Sequence, residues 1–503
     1  MEIFQNLYLG FSVSLLPTNL LFCFAGVFFG TIVGILPGLG APTAVALLLP
    51  TTFSMSPESA LIMMAGIYYG AQYGGSTTAI LLNIPGEASS VVTCLDGYQM
   101  ARKGKAGRAL GISAFGSFIG GTLSVVGLML VGTFLARFAL RFGPPEYFGL
   151  TFMSLVILNM LAKGSRVKSL ISILAGLFIG TIGIDYTSGV PRFNFGTVTL
   201  LKGVDLVPVA IGLFGIGEVL TNIDNLRERD IFKPKIKGLL PTRKDWKDSI
   251  GPIGRGSLLG FLCGIIPGGG AIISSFVSYM VEKRLSHHPE TFGSGAIQGV
   301  AGPETANNAA TGGAMVPLLS LGIPANSIMA LLLGAMMIHG IKPGPFMITE
   351  YPQAFWGVVT SMYTGNLILL ILNLPLIGLW VRMLNISYRI LIPFILLFCL
   401  IGAYGIDNDV YDVLIMLIFG GVGYLMRKAG FDPLPLIFAM IICPIMEDNF
   451  RVSLLSSRGH FGIFFTHPIS AVLIGISFFL LLFPLLPEAR KQRERVVKES
   501  SDD

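Results

Sequence analysis

The chain has 503 residues, a formal net charge of +6 and 12% charged residues, whereas 53% of its residues are apolar. Average soluble proteins carry about 25% charged residues, so this composition argues against a water-soluble protein and predicts an integral membrane protein. The basic residues form short clusters between apolar segments, with no basic stripe of interleaved aromatic residues, which argues against nucleic-acid binding.

Apolar segments such as residues 148–162 and 469–486 approach the length of about 20 residues that a membrane-spanning helix needs. The basic stretches between and after such segments predict cytoplasmic loops. They divide the chain into a first transmembrane half (1–223), a cytoplasmic linker (224–250), a second transmembrane half (251–487) and a cytoplasmic tail (488–503). Residues 185–205 then form an external loop, although Arg192 and Lys202 there, and Arg451 and Arg458 in the second half, oppose this orientation. The predicted fold class is all-α and polytopic, with about eleven to fourteen membrane elements.

A weak internal repeat relates the two halves. At a constant offset, one glycine and proline pattern recurs: Gly26, Gly30, Gly34, Pro37, Gly38, Gly40 and Ala41 correspond to Gly256, Gly260, Gly264, Pro267, Gly268, Gly270 and Ala271. Residues 73–89 similarly match 311–327, which aligns Gly74 with Gly313 and Pro85 with Pro324. Basic residues lie at opposite ends of matching helices in the two halves. Since basic loops are predicted to be cytoplasmic, the two repeats are predicted to be inverted, an architecture typical of secondary transporters.

The proline-glycine strings at 37–40 and 267–270 are predicted to interrupt their helices, because proline lacks a backbone donor and glycine relaxes the dihedral constraints. A half-helix N-terminus can bind an anion, and freed carbonyl groups can bind a cation. We therefore expect substrate contacts at Pro37, Gly38, Leu39, Gly40, Ala41, Pro267, Gly268, Gly269 and Gly270. For the preceding glycine triplets, close helix packing is the favoured interpretation.

Two polar, small-residue clusters follow the breaks. They offer hydroxyl and amide donors suited to a carboxylate: Gly74, Gly75, Ser76, Thr77 and Thr78 in the first half, and Thr305, Asn307, Asn308 and Thr311 in the second. The alternative for these clusters is hydrogen bonding between helices or a surface loop. Glu304 is a candidate coupling-ion ligand or proton carrier; alternatively it caps a helix that begins near Thr305, or faces solvent.

Enzyme and cofactor signatures are not found. There is no HExxH, GxSxG or GxxxxGK[ST] motif, and the histidines and cysteines lack metal-ligand spacing. The sequence thus predicts no enzyme, no cofactor and no bound metal. In the absence of a nucleotide motif, the expected energy source is a gradient of Na⁺ or H⁺.

Three long strings, at 30–50, 260–284 and 299–345, closely resemble the large membrane subunit of the tripartite tricarboxylate transporters, and the likeness covers nearly the whole chain. The resemblance implies a multi-pass permease of the bacterial inner membrane. Its implied partners are a small membrane subunit and a periplasmic solute-binding protein, and its substrates are citrate or other carboxylates. The resemblance places the binding site at residues 37–41, 74–78, 267–270 and 304–313.

The function predicted is ion-coupled uptake of a tricarboxylate or related carboxylate through one site between two inverted halves. During transport, one part of the protein is expected to move against a scaffold in an elevator-like manner. A stand-alone ion-coupled exchanger is the alternative, and a channel is a third, less favoured because the breaks occur in both halves.

Overall fold

Helices dominate the structure, a computed structural model that describes residues 2–36, 40–161, 165–185, 188–223, 236, 238–268, 270–383, 388–405 and 408–482. In these residues two short strands, β1 (Gly183–Ile184) and β2 (Pro191–Arg192), pair antiparallel with Gly183 opposite Arg192. The remaining regular structure of the described residues is helical, which confirms the all-α fold class. Outside the described residues lie the predicted tail, positions 224–235 and 237 of the predicted linker, and Pro37, Gly38, Leu39 and Gly269.

The helices of the first part of the chain, in order, are α1 (Glu2–Ser14), α2 (Pro17–Ile35), α3 (Ala41–Leu48), α4 (Pro57–Leu82), α5 (Val91–Arg102), α6 (Ala106–Gly127), α7 (Thr133–Ala139), α8 (Pro144–Leu161), α9 (Arg166–Gly180), α10 (Leu206–Ala210) and α11 (Gly217–Ile223). Two π-helical segments, Leu128–Gly132 and Ile211–Ile216, join α6 to α7 and α10 to α11. Short 3₁₀ segments occur at Leu49–Thr52, Ala88–Ser90 and Thr199–Lys202.

The second part continues with α12 (Arg243–Ile265), α13 (Gly270–Leu285), α14 (Gln298–Leu321), α15 (Ser327–Ile338), α16 (Met347–Glu350), α17 (Pro352–Asn373), α18 (Ile377–Met383), α19 (Tyr388–Tyr404), α20 (Val410–Lys428), α21 (Leu434–Ser456), α22 (Ile463–Thr466) and α23 (Pro468–Leu482). A 3₁₀ turn at Pro289–Thr291 lies between α13 and α14. Helix α12 begins at a capping box in which Thr242 and Asp245 satisfy each other's backbone N–H groups.

Five helical spans in the described part of the chain are long and apolar enough to cross a membrane: Pro17–Ile35, Ala106–Ala139, Leu206–Ile223, Pro352–Asn373 and Val410–Lys428. Large apolar side chains lie exposed on the outside of α20 and α23, among them Leu417, Ile418 and Phe479. Soluble proteins rarely expose such continuous apolar faces, whereas lipid accommodates them. The chain is therefore a polytopic membrane protein, as the composition predicts.

The chain packs into two compact units. The first comprises Met1–Leu140 and Asp205–Ala429, and the second comprises Arg141–Val204 and Gly430–Asp503. Each unit thus takes segments from both sequence halves. The division into a first half, linker and second half describes the repeat in the sequence and stays a prediction.

The glycine triplets bring two helix pairs of the first unit into backbone contact. A methyl group added at Gly30 would lie 2.8 Å from the Cα atom of Ile67, and one added at Gly260 would lie 2.7 Å from the Cα atom of Ala306. The other glycines of the two triplets approach the same partner helices: Gly26 and Gly34 face α4, and Gly256 and Gly264 face α14. Since only glycine lets backbones approach so closely, close packing is confirmed as the role of the triplets.

Matching helix ends support the repeat itself. Helix α4 ends at Asn83 and α14 at Gly322, both in the left-handed conformation with φ of 58° and 72°. These positions correspond in the alignment of residues 73–89 with 311–327, and each precedes its proline by two residues. The two halves therefore share the order of helix, break, half-helix and second helix. Their inverted orientation stays a prediction.

The second unit is built from α8, α9, α21 and α23. Its core contains Leu158, Ile173 and Phe438, and α21 packs against both α8 and α9. Arg192 pairs with Glu447 at 2.6 Å, and Arg451 pairs with Asp185 at 2.8 Å and with Glu447 at 2.7 Å. Arg192 and Arg451 oppose the predicted orientation, and here their charges are balanced by carboxylates.

Candidate functional site

Both proline-glycine strings interrupt their helices, as expected. Helix α2 ends at Ile35 and α3 begins at Ala41, with Gly40 as its N-cap residue; α12 ends at Ile265 and α13 begins at Gly270. In the second break Gly268 and Gly270 have φ of 77° and 44°, which glycine adopts without a steric penalty. Of the predicted substrate contacts here, Pro37, Gly38, Leu39 and Gly269 lie outside the described residues.

Two of the described backbone N–H groups at the breaks have protein partners. The N–H of Gly268 donates to the carbonyl oxygen of Ala325 at 2.8 Å. The N–H of Ala41, at the N-terminus of α3, donates to the carboxylate oxygen Oε1 of Glu87. Glu87 is half-buried and was not among the residues predicted from the sequence. It follows Pro85 within the second repeated string, and an acidic residue there was the available signal.

One segment, residues 84–90, lies beside the first break and also contacts α13. A methyl group added at Gly75 of α4 would lie 2.9 Å from the backbone nitrogen of Glu87, so this segment packs directly on α4. The 3₁₀ turn Ala88–Ser90 in turn packs against α13, the half-helix of the second break. The segment thereby connects the N-terminus of α3 with α13.

The two polar clusters lie inside long helices, not in loops. Ser76, Thr77 and Thr78 are buried in α4, and Thr305, Asn307, Asn308 and Thr311 are buried in α14. Since α14 begins at Gln298, Glu304 lies in its second turn and is fully buried. The alternatives in which Glu304 caps a helix or faces solvent are therefore wrong.

The Glu304 carboxylate of α14 accepts hydrogen bonds from side chains of three other helices. One oxygen, Oε2, accepts hydrogen bonds from the hydroxyl of Ser76 in α4 and, at 3.3 Å, from the Asn307 side-chain amide. The other oxygen, Oε1, accepts one from the hydroxyl of Thr93 in α5. The Ser113 hydroxyl of α6 also hydrogen bonds to this side chain. Thr93 and Ser113 were not among the predicted residues, because they lie in other helices and the sequence does not show that they reach Glu304.

Asn308 extends this network one turn along α14. Its amide nitrogen lies 2.8 Å from Ser117 Oγ, 3.0 Å from the carbonyl oxygen of Glu304 and 2.5 Å from Asn307 Oδ1. Its oxygen Oδ1 is buried without a hydrogen-bond partner among the described residues. A buried acceptor left unpaired costs about 1–3 kcal/mol, so it can serve a cation, a water or a donor on a substrate.

Other predicted residues have structural roles that the contacts define. Thr78, Thr305 and Thr311 donate to backbone carbonyls of their own helices at 2.7–3.0 Å. A methyl group added at Gly74 would meet the backbone of α2 at Ile35 within 2.9 Å, so Gly74 serves helix packing. Among the predicted donors, Ser76, Asn307 and Asn308 are the ones that the structure brings together at Glu304.

The hydrogen-bond donors to Glu304 among the described residues are hydroxyl and amide groups, none of which carries a charge. A buried carboxylate is costly unless a proton or a cation neutralises it. The described residues contain no group of three or more histidine, cysteine or acidic side chains arranged to hold a metal ion. The network is therefore suited to one proton, or to a weakly held ion that shares oxygen ligands with Glu304.

Fold and site together define a multi-pass membrane protein with broken helices around a buried polar network, the features of a secondary transporter. The family model described as "Tripartite tricarboxylate transporter TctA family" matches residues 20–438. The chain belongs to this family, whose members are subunits of tripartite transport systems with a small membrane subunit and a periplasmic binding protein.

Two relatives come from Agrobacterium vitis. One, "Uncharacterized 52.8 kDa protein in TAR-I ttuC' 3'region", is 47% identical over 499 residues, which cover 99% of each chain. The other, "Uncharacterized protein in TAR-II ttuC' 3'region", is 49% identical over 240 residues, which cover 48% of this chain and 99% of the relative. No solved structure gives a significant match to the chain.

Proposed function

We propose that this protein is the permease subunit of a binding-protein-dependent system that carries a tricarboxylate or related carboxylate across the bacterial inner membrane. Uptake is driven by a gradient of Na⁺ or H⁺. Its partners are a small membrane subunit and a periplasmic solute-binding protein that delivers the substrate. Family membership supports this general role, and the substrate and coupling ion are part of the proposal.

The observation that carries the proposal is the fully buried Glu304 with neutral partners from neighbouring helices. Loading with a proton or cation removes the cost of its buried charge, and unloading restores that cost. Because side chains of α4, α5 and α6 all hydrogen bond to this carboxylate of α14, a change in its charge changes the packing of these helices. Glu304 is thus placed to link ion binding to a conformational change.

The substrate site in this proposal lies at the two breaks and their flanking residues. Helices α3 and α13 begin there, and a helix N-terminus offers backbone N–H groups and partial positive charge to a carboxylate. In the structure the N–H groups of Ala41 and Gly268 are bonded to Glu87 and to the carbonyl oxygen of Ala325. Gly40, Ala41, Gly268 and Gly270 supply backbone groups, and Ser76, Thr77, Asn307 and Asn308 supply polar side chains nearby along α4 and α14. Backbone and neutral donors can hold a polyanion without burying several cationic side chains.

Uptake by the reconstituted protein, with and without the binding protein and small subunit, tests the proposal. With radiolabelled citrate as probe and an imposed Na⁺ or pH gradient, we expect saturable uptake that requires the binding protein. Equal uptake without it would favour the stand-alone exchanger, and ion conductance without saturable counterflow would favour a channel. A ligand screen on the purified binding protein would identify the preferred carboxylate.

A further inference from the structure

At the first break the N-terminus of α3 already holds a carboxylate, and it belongs to the protein itself. Oε1 of Glu87 accepts the N–H of Ala41, the first residue of α3, from 46 residues away in the chain. A methyl group added at the N-cap Gly40 would lie 3.9 Å from the same oxygen. A carboxylate group therefore occupies the position at which a carboxylate substrate is proposed to bind.

The equivalent position of the second half, as far as its residues are described, has a different arrangement. Asn326 aligns with Glu87, and its side chain accepts hydrogen bonds from the N–H groups of Ile328 and Met329 at 3.0 and 2.9 Å. Asn326 thus caps its own helix, α15, and it carries no charge. Glu87 likewise caps its own turn, Ala88–Ser90, but its carboxylate additionally reaches the N-terminus of a second helix, α3.

The contacts of Glu87 permit it to leave. Glu87 and Gly40 beside it are both half-buried residues. The carboxylate also accepts backbone N–H groups of its own turn, Ala88–Ser90, so it keeps hydrogen-bond partners when it releases Ala41. Helix α3 has a separate attachment, because the hydroxyl of Thr43 donates to the carbonyl oxygen of Phe214 at 3.0 Å. The N-terminus of α3 would therefore stay in place when Glu87 moves away.

We propose that Glu87 is an internal competitor of the substrate: its carboxylate occupies the N-terminus of α3 in the empty transporter, and a substrate carboxylate replaces it on binding. This inference rests on the proposed function, since it assigns Glu87 a part in that carboxylate site. The exchange keeps the positive end of α3 paired with an anion in both states. It also lowers the apparent affinity for substrate, because the vacant site is a minor state.

The reduction in apparent affinity for substrate depends on the population of the state in which the N-terminus of α3 is vacant. If Glu87 leaves the N-terminus of α3 free about 10% of the time, the apparent affinity is reduced about tenfold. Glu87→Gln retains an acceptor for the N–H of Ala41 and loses the charge, so it competes more weakly and should still fold. Glu87→Ala removes the competitor and leaves the N-terminus of α3 vacant.

Acetate, a single carboxylate, is the probe for the vacant site. The melting temperature of the full-length protein in nanodiscs is measured in acetate and in chloride at equal ionic strength. We expect Glu87→Ala to melt lower than wild type in chloride and to be restored by acetate. Asn326→Ala, the matched loss of a helix cap at the equivalent position, should melt lower and show no acetate effect.

Two outcomes would overturn the proposal: acetate stabilises Glu87→Ala no more than wild type, or it stabilises Asn326→Ala equally. If the alanine variant does not fold, Glu87→Gln decides, with an expected acetate midpoint below that of wild type by up to about tenfold; an unchanged midpoint refutes the idea. In citrate uptake with the partner subunits, Glu87→Gln should lower KM by up to about tenfold. Absence of uptake by wild type would contradict the proposed function alone, because the acetate comparison still decides the role of Glu87.

Discussion

Replacing Glu304 with glutamine would keep the shape of the side chain and remove its charge. The hydroxyls of Ser76 and Thr93 can rotate from donor to acceptor, so the new amide can satisfy both. With its amide oxygen in place of Oε2, the glutamine still accepts from Ser76 and Asn307, and its NH2 group faces the Thr93 hydroxyl. Glu304→Ala instead removes the acceptor shared by Ser76, Thr93, Asn307 and Ser113, at about 1–3 kcal/mol for each donor left without a partner, which is a large fraction of the stability of an ordinary protein.

Glu304→Gln should therefore fold and still fail to couple uptake to the ion gradient. We expect gradient-stimulated uptake to fall by about 5- to 150-fold, the range of ordinary coupling energies. The assay is citrate uptake by the reconstituted system, measured across a series of imposed Na⁺ and pH gradients, with melting temperature recorded on the same preparations. Exposed Glu290, replaced by glutamine, is the matched control and should behave as wild type.

A variant that responds to the gradient as wild type does would refute this reasoning. It would mean that the charge of Glu304 does not change during transport and that the network only holds α4, α5 and α14 together. A variant with normal exchange of substrate and no response to either gradient is the expected result.

Asn307→Ala should abolish citrate uptake and retain membrane insertion, measured by transport and by surface labelling, and Thr77→Ala should do the same; normal transport by both would remove them from the pocket. Gly260→Val would press its side chain onto the backbone of Ala306, and we expect destabilisation of at least about 3 kcal/mol, seen as loss of monodisperse protein in size-exclusion chromatography. Asp96 accepts hydrogen bonds from three backbone N–H groups of the loop before α14, at 2.6–3.0 Å. Asp96→Ala would leave these groups unpaired and should lower the melting temperature. An unchanged melting temperature would contradict these contacts.

Local features of this protein were readable from the sequence. The helix breaks follow from proline and glycine in consecutive positions, and close helix packing by α2 and α12 follows from glycines spaced by four residues. Glu304 stood out because an acid is rare in so apolar a chain. These signals lie within one short segment each, so no knowledge of distant contacts was required.

Only the tertiary structure showed which side chains meet. Thr93 and Ser113 reach Glu304, and Glu87 reaches Ala41, across separate helices. The grouping of Arg141–Val204 with the chain after Gly430 likewise depends on contacts between remote segments. Helical periodicity determines which face of a helix is polar, whereas the packing of several helices determines which of those faces share one buried site.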